Sequence, residues 1–289
     1  ARILLGVRIM KRCQHCLNVC EKHIAVRSPE NVAAEVAWLR ERYAPDHISF
    51  VDDIFGLKPG WTAAYASAAA ARGATTPFKC LSRADLLLRD GEVDALAAAG
   101  AETVWMGAES GAQSVLDAME KGTRVEQIEE AAARLRAAGI RVAFFLQFGY
   151  PGEGPAEIEA TRRLVWRALP DDIGISVSYP LPGTRFYERV RADLGEKRNW
   201  ADSDDLAMLY RGPFSTRFYR RLHTAVHKEF RLRRAAGTVS PLTHVVRAAR
   251  RVTARDRLGR MKDALTLPLD NPVLAGMRRL ERRCRAPTR

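Results

Sequence analysis

Nowhere in the 289 residues do roughly 20 apolar residues follow one another, so no segment is a hydrophobic helix long enough to cross a bilayer. No basic stretch leads into an apolar core of the secretory-signal kind, and the chain is expected in the cytoplasm, where thiols stay reduced. No G-x-G-x-x-G and no P-loop follows any β-type run, which removes the main support for a doubly wound nucleotide fold. Cysteine is scarce: Cys13, Cys16 and Cys20 fall within eight positions, while Cys80 and Cys284 stand alone. A disulfide framework does not suit this pattern, because a chain of this length buries a core without staples and three neighbouring thiols leave one unpaired. Acidic residues are in deficit, 34 against 47 Lys and Arg, giving a net charge of +13. That excess sits almost entirely in residues 231–289, which hold 16 basic against 4 acidic residues. The main part of the chain is nearly neutral, so its charge gives no reason to make it a nucleic-acid binder.

What is present is a length and an apolar content of 47% that suit one large α/β domain with sequence to spare. The chain begins at Ala1 rather than Met, as a piece of a longer polypeptide would. Three thiols on one short basic loop point to a metal. Structural zinc needs a fourth ligand, and His15 or His23 stands near enough in sequence to complete a Cys3His set. An iron–sulfur cluster is the rival, since a four-iron cluster on three cysteines keeps one iron open to a substrate or cofactor. Incidental thiols are the third reading, and spacing alone does not choose among them.

Residues 1–10 form a short apolar run that fits a strand delivering the cysteine loop. Ser28-Pro29-Glu30 then starts a helix, with serine as N-cap, proline in the first turn, and Val32, Val36, Leu39 and Tyr43 at helical spacing. From there β-type runs alternate with helices. Residues 47–51 end in Asp52-Asp53 and precede a helix over about 59–72. Residues 77–81 end in Ser82-Arg83 and precede a helix from near Asp90 to Gly100. Residues 103–106 run into Gly107-Ala-Glu109-Ser-Gly111. After a short helix, Thr123 and Glu126 have capping-box spacing ahead of a helix that Gly139 closes. Residues 141–148 are the strongest strand and are followed by a helix over 155–168. Residues 173–177 form the last strand, ending near Tyr179.

Counting the opening run, these are six strands, spaced roughly 25 to 40 residues apart with a helix between each pair, the repeat of a parallel sheet or barrel. The expected fold is α/β, a partial (β/α)6 TIM-like barrel with a C-terminal helical extension. Its domains are expected as a core over 1–184, a helical cap over 185–230 and a basic tail over 231–289, helical or partly disordered. Every strand's C-terminal end carries polar or special residues: the cysteines, Asp52 and Asp53, Ser82 and Arg83, Glu109, Gln147 with Gly149, and Tyr179. In an α/β barrel those ends share the face where chemistry sits. Taken one at a time, each has a structural explanation as a helix cap, a turn residue, a solvated charge or one half of an ion pair. Their repetition along one rim favours a site.

These residues resemble the radical S-adenosylmethionine (SAM) superfamily, most of all its cobalamin-associated branch, which includes anaerobic magnesium-protoporphyrin cyclase and many methyltransferases. The resemblance runs from about Arg27 to Arg234. It is carried by the stretches 27–32, 46–61, 78–83, 107–111, 145–153 and 178–184, the fifth reading Phe-Leu-Gln-Phe-Gly-Tyr-Pro-Gly-Glu. The resemblance implies that Cys13, Cys16 and Cys20 bind a [4Fe–4S] cluster whose fourth iron is chelated by SAM. It further implies that Asp52 and Asp53 meet the methionine amino group, Ser82 and Arg83 the carboxylate, Glu109 the ribose and Gln147 the adenosyl moiety. Those side-chain types suit a zwitterion and a diol. The implied chemistry is reductive cleavage of SAM followed by hydrogen abstraction, by an oxidoreductase or a methyltransferase. The implied partners are a small-molecule, lipid-like or tetrapyrrole substrate and an electron donor such as ferredoxin or flavodoxin.

Two features depart from the family. Its cysteines are spaced Cys-x3-Cys-x2-Cys, whereas this chain reads Cys13-x2-Cys16-x3-Cys20. Either the loop holds a cluster at altered spacing, the preferred reading, or His23 replaces a thiol, or residues 1–24 are not the authentic sequence. The branch's preceding cobalamin domain is also absent from this chain, which contains no Asp-x-His-x-x-Gly, so the chain itself does not support cobalamin. A cluster-deficient, non-catalytic relative that binds SAM or a partner is the alternative function, as is a zinc-binding protein. Beyond the barrel, His223 and His227 are four apart without the intervening Glu of a zinc motif and read as surface or packing residues. The basic tail reads as a solvated appendix able to touch an anionic surface.

Overall fold

The computed structural model describes residues 2–3, 6–7, 25–195 and 206–237. Its elements in chain order are Arg2–Ile3 (β1), Gly6–Val7 (β2), Ala25–Val26 (β3), Pro29–Tyr43 (α1), Ile48–Phe50 (β4), Trp61–Ala71 (α2), Phe78–Ser82 (β5), Ala84–Leu87 (α3) and Glu92–Ala99 (α4). They continue with Ala101–Glu109 (β6), Gln113–Ala118 (α5), Val125–Ala137 (α6), Arg141–Phe148 (β7), Pro155–Ala168 (α7), Asp172–Val177 (β8), Arg185–Val190 (α8), a 3-10 turn at Arg191–Asp193, and Thr216–Gly237 (α9).

Six of the strands form one parallel sheet in the order β1-β4-β5-β6-β7-β8. Sheet order thus follows chain order, and from β4 onward each step crosses over through helix. Right-handed crossovers of this kind put every helix on the same side and curl the strands the same way, which yields an open half-barrel. This is the expected α/β partial TIM-like fold. The small β2–β3 antiparallel pair was not foreseen, because two-residue strands carry no periodicity to read.

Burial alternates along the strands and tells the two faces apart. Phe78, Cys80, Val104, Met106, Phe144, Leu146 and Phe148 are buried beneath the helices. Lys79, Leu81, Trp105, Gly107, Phe145, Gln147 and Ser176 lie on the other, concave face and keep part of their surface exposed.

Local chemistry explains the elements that set this curl. Ser28 caps α1 by accepting a hydrogen bond from the Asn31 N–H at 3.1 Å, and Pro29 fills the first turn, where a missing N–H costs nothing. Helix α2 is mostly alanine, and its small side chains let it pack closely against α1 and α4. The rings of Phe50, Phe55, Trp61, Tyr65 and Phe78 lock α2 to the sheet, with Phe50 and Phe78 only 4.9 Å apart edge to face. Each ring buried this way contributes about 2 kcal/mol. The capping-box expectation at Thr123 fell one residue short. Helix α6 starts after Arg124, whose N–H donates to the Gln127 side chain at 2.8 Å, and the Thr123 hydroxyl is buried without a partner.

Helix α9 lies beside β8, the last strand of the sheet, and packs on α7. The Arg162 guanidinium on α7 grips Glu229 on α9 with two bonds of 3.0 and 2.6 Å, and Arg234 reaches Asp171 at 3.2 Å. The helix runs through position 230, where the cap and the tail were expected to meet. The rest of the basic tail lies outside the described residues. Among the described residues no helix is long and apolar enough to cross a membrane.

Candidate active site

Four strand ends, β4 to β7, converge on the concave rim, and short bonds join each to the next. After β4 the chain buries Asp52, which is 5% exposed, and leaves Asp53 exposed. The Phe55 N–H then donates to the Leu81 carbonyl at 2.7 Å, and the Ser82 hydroxyl donates to the Phe55 carbonyl at 3.4 Å. The aspartate loop and the end of β5 are therefore one unit, and Ser82 is buried within it.

Arg83 follows on the rim. Its guanidinium donates to the Asp85 carboxylate at 2.8 and 3.3 Å and to the Lys121 carbonyl at 3.1 Å. Lys121 in turn places its ammonium 2.6 Å from the Glu109 carboxylate. The Gly107-Ala-Glu-Ser-Gly111 stretch explains itself residue by residue. A Cβ on Gly107 would stand 2.8 Å from Glu109 Oε1 and 3.0 Å from Lys121 Nζ, so glycine leaves room for the ion pair. Glu109 has φ of 57°, a left-handed conformation that turns the chain off the strand where the β6–β7 register slips. Ser110 and Thr161 share a hydroxyl–hydroxyl bond of 3.0 Å, and the Gly111 N–H donates to Thr161 at 3.0 Å. A Cβ on Gly111 would lie 2.3 Å from the Ala160 carbonyl, so only glycine lets the end of β6 rest on α7.

On β7, Gln147 sits on the concave face beside Ser176 of β8, and its amide makes no hydrogen bond within the described residues. Two residues on, Gly149 turns with φ of 86°, closely crowded by Met208 and Tyr219. Glu153 accepts the Gly149 N–H at 2.5 Å, and the Tyr210 hydroxyl donates to the Gly149 carbonyl. Glu153 is 2% exposed and its other oxygen has no partner, so burial pushes its carboxyl up to about 8. This glutamate braces the turn rather than facing the concave side.

The structure thus brings Ser82, Arg83 and Glu109 into one bonded chain, with Asp52 and Asp53 tied on through the Phe55 loop and Gln147 on the next strand. Cys13, Cys16 and Cys20, together with His15 and His23, lie outside the described residues. His223 and His227 face each other with ring centres 4.4 Å apart, and burial, then the neighbouring His223, pushes His227 down to about 4. Among the described residues no group of three or more His, Cys, Asp or Glu is placed to hold a metal. Sequence reasoning missed Lys121, Glu153 and Tyr210. Lys121 lies in a turn with no motif of its own, and only a search for a cation to match Glu109 would have found it.

The chain matches the Radical SAM superfamily model over residues 5–165. An uncharacterized methyltransferase of Pyrococcus horikoshii, PH0819, is 26% identical over 60% of this chain and 38% of its own length. The solved cobalamin-dependent S-adenosylmethionine radical enzyme OxsB superposes over 90% of this chain and 44% of its own, with a TM-score of 0.62 and 17% identity. The radical S-adenosylmethionine methyltransferase TsrM from Kitasatospora setae superposes over 66% and 36%, with a TM-score of 0.58 and 20% identity. At those identities the two structures speak for the fold alone, and the chain spans well under half the length of each of these three proteins. The family match covers more than half of the chain and coincides with the half-barrel whose rim has just been described: the protein belongs to the radical SAM superfamily.

Proposed function

We propose that this chain is the catalytic half-barrel of a radical SAM methyltransferase, with Cys13, Cys16 and Cys20 holding a [4Fe–4S] cluster and the strand ends holding SAM. Methyltransferase is preferred to the cyclase chemistry of the initial resemblance because the relative PH0819 and the solved neighbour TsrM carry that name. The donor set suits SAM. Glu109 offers a carboxylate to a ribose diol, and Gln147 offers an unengaged amide one strand away. Arg83 offers a cation to the carboxylate end, beside Ser82, whose hydroxyl is engaged by the Phe55 carbonyl, and Asp52 with Asp53 offers acceptors to the ammonium. When bound, the cluster would supply the electron that cleaves the sulfonium C–S bond.

The protein's own part is positional. Lys121 fixes the rotamer of Glu109, Gly107 clears the space in front of it, and the Phe55 bridge holds the aspartate loop to Ser82. The open concave face then receives a small molecule, with electrons delivered by a ferredoxin- or flavodoxin-like donor in a reducing, cytoplasmic compartment. No cobalamin ligand is assigned to this chain. The observation that carries the proposal is the Glu109–Lys121 pair raised over Gly107 beside Gln147, within the matched family region.

Anaerobic reconstitution with iron and sulfide tests it. The expected result is about four irons per chain, lost in a Cys13/Cys16/Cys20→Ala variant, and release from SAM either of 5′-deoxyadenosine with methionine on reduction or of S-adenosylhomocysteine when the methyl group passes to an acceptor. One zinc and no iron would overturn it in favour of a zinc protein. An intact cluster that never cleaves SAM would leave a binding relative.

A further inference from the structure

One feature of the concave face is not used by the SAM-binding residues. Trp105 on β6 and Phe145 on β7 stack there with ring centres 4.6 Å apart and planes 29° from parallel. Phe145 is 37% exposed, unusual for a phenylalanine in the middle of a sheet, and Trp105 is only half-buried. The sheet register explains how the rings lie. Gly107 and Gly174 stand directly across from Phe145 on its two neighbouring strands, so neither register partner has a side chain of its own to crowd the ring. Both rings lean over Gly174, where a Cβ would meet Phe145 Cδ1 at 3.2 Å and Trp105 Cζ3 at 3.4 Å. The pair is therefore a flat apolar tablet, laid across three strands. It lies two residues toward the strand starts from Gly107 on β6 and from Gln147 on β7, and four from Glu109. Lys79 is exposed on the same face, two residues before Leu81, which is the register partner of Trp105.

We propose that the Trp105–Phe145 tablet seats a planar conjugated ring of the substrate, with an anionic group of that substrate directed toward Lys79. The proposal rests on the reading of the concave face as the reaction chamber and names the substrate class that chamber takes. Stacking discriminates flat rings from saturated ones because the aromatic quadrupoles favour offset face-to-face contact, whereas simple apolar contact does not distinguish them. The glycine at 174 serves the stack, because it lets both rings lie down over its strand. A lysine on the same face adds a charge that a neutral lipid chain would not use.

The test uses the full-length, anaerobically reconstituted protein and two probes, 2-naphthoate and its saturated counterpart decahydro-2-naphthoate, titrated calorimetrically. Naphthoate is expected to bind about tenfold more tightly than the saturated acid. Trp105→Ala and Phe145→Ala are expected to weaken naphthoate about tenfold while SAM affinity and the folded circular-dichroism spectrum are retained. Gly174→Ala, which crowds the rings without touching the rim, keeps the fold intact and is expected to lower naphthoate affinity in the same direction. Equal affinity for the two acids, no binding of either, or naphthoate affinity unchanged in all three variants overturns the proposal. A wild-type protein that binds naphthoate as described but not SAM overturns the reading of the rim and leaves the tablet standing.

Discussion

Glu153→Gln separates a buried carboxyl that carries a proton from one that carries a charge. Glu153 sits 2% exposed under the β7 turn, with one oxygen on the Gly149 N–H and the other unpartnered, and among the described residues no cation pairs with it. Its carboxyl rises from an ordinary 4.5 to about 8, first because of burial and then, after the opposing Gly149 bond, because of Glu157. Below pH 4.5 both folded and unfolded chains hold this proton, and stability does not depend on it. Between 4.5 and 8 the unfolded chain releases the proton and the folded chain keeps it, so stability falls as pH rises, by about 1.4 kcal/mol per pH unit. Across the whole window this amounts to about 5 kcal/mol. Glutamine reproduces the protonated shape, since its carbonyl accepts from Gly149, and it has nothing to ionise. Urea denaturation followed by circular dichroism at pH 5, 6, 7 and 8 should show the stability of Glu153→Gln gaining steadily on wild type as pH rises. Parallel pH profiles for the two proteins would refute the reasoning.

Gly111→Ala would place a Cβ 2.3 Å from the Ala160 backbone carbonyl, which cannot swing away, so α7 must shift at a cost of about 1–3 kcal/mol in urea midpoint experiments; wild-type stability would show the contact to be slack. Arg162→Ala strands Glu229, itself 8% exposed on the side chain, and should cost about 3–5 kcal/mol, whereas Arg162→Met combined with Glu229→Leu should recover most of it. If the double variant is as unstable as the single one, the cost lies in packing rather than in the stranded charge. Lys121→Met removes the 2.6 Å partner of Glu109 while sparing the backbone carbonyl that Arg83 uses, and should raise the SAM dissociation constant about tenfold in protein that circular dichroism shows to be folded. An unaltered dissociation constant, read by calorimetry on reconstituted protein, would remove Glu109 from the SAM site.

The strands and their polar ends were legible because a parallel strand buried on one side ends where its apolar run stops, and Asp52, Ser82, Glu109 and Gln147 mark those stops. Helix α7 was readable to the residue from Pro155 and the apolar spacing after it, whereas α3 was not, since four residues carry no period. Cross-chain partners were out of reach. Nothing near Lys121 says that its ammonium meets Glu109 and its carbonyl meets Arg83, because those contacts are made by the fold. Trp105 and Phe145 were read only as parts of strands, since a sequence gives alternation but not which face of the sheet stays uncovered. The face became assignable only once helices were seen on Phe144 and Met106 and none on their neighbours.

An open half-barrel lacks the closure that keeps the strand ends of a full barrel in place, and the rim shows how this chain compensates. Each strand end is bonded to another strand or to the segment that follows one. Phe55 after β4 ties to Leu81 and Ser82 of β5, Arg83 after β5 to Lys121 after β6, and Gly111 after β6 to Thr161 of α7. Gly149 after β7 is held from both sides by Glu153 and by Tyr210 of the segment that follows β8. The ties run along the rim in strand order, so displacing one end strains the next, while across the face between β5 and β8 the described residues offer the apolar Trp105–Phe145 stack in place of such polar ties. The β8 edge, which in a closed barrel would pair with the first strand, instead lies beside α9, anchored through Arg162–Glu229. Rigidity is thus concentrated at the perimeter and vacancy at the centre, the distribution expected of a scaffold that must hold a cofactor still while admitting a second molecule beneath it.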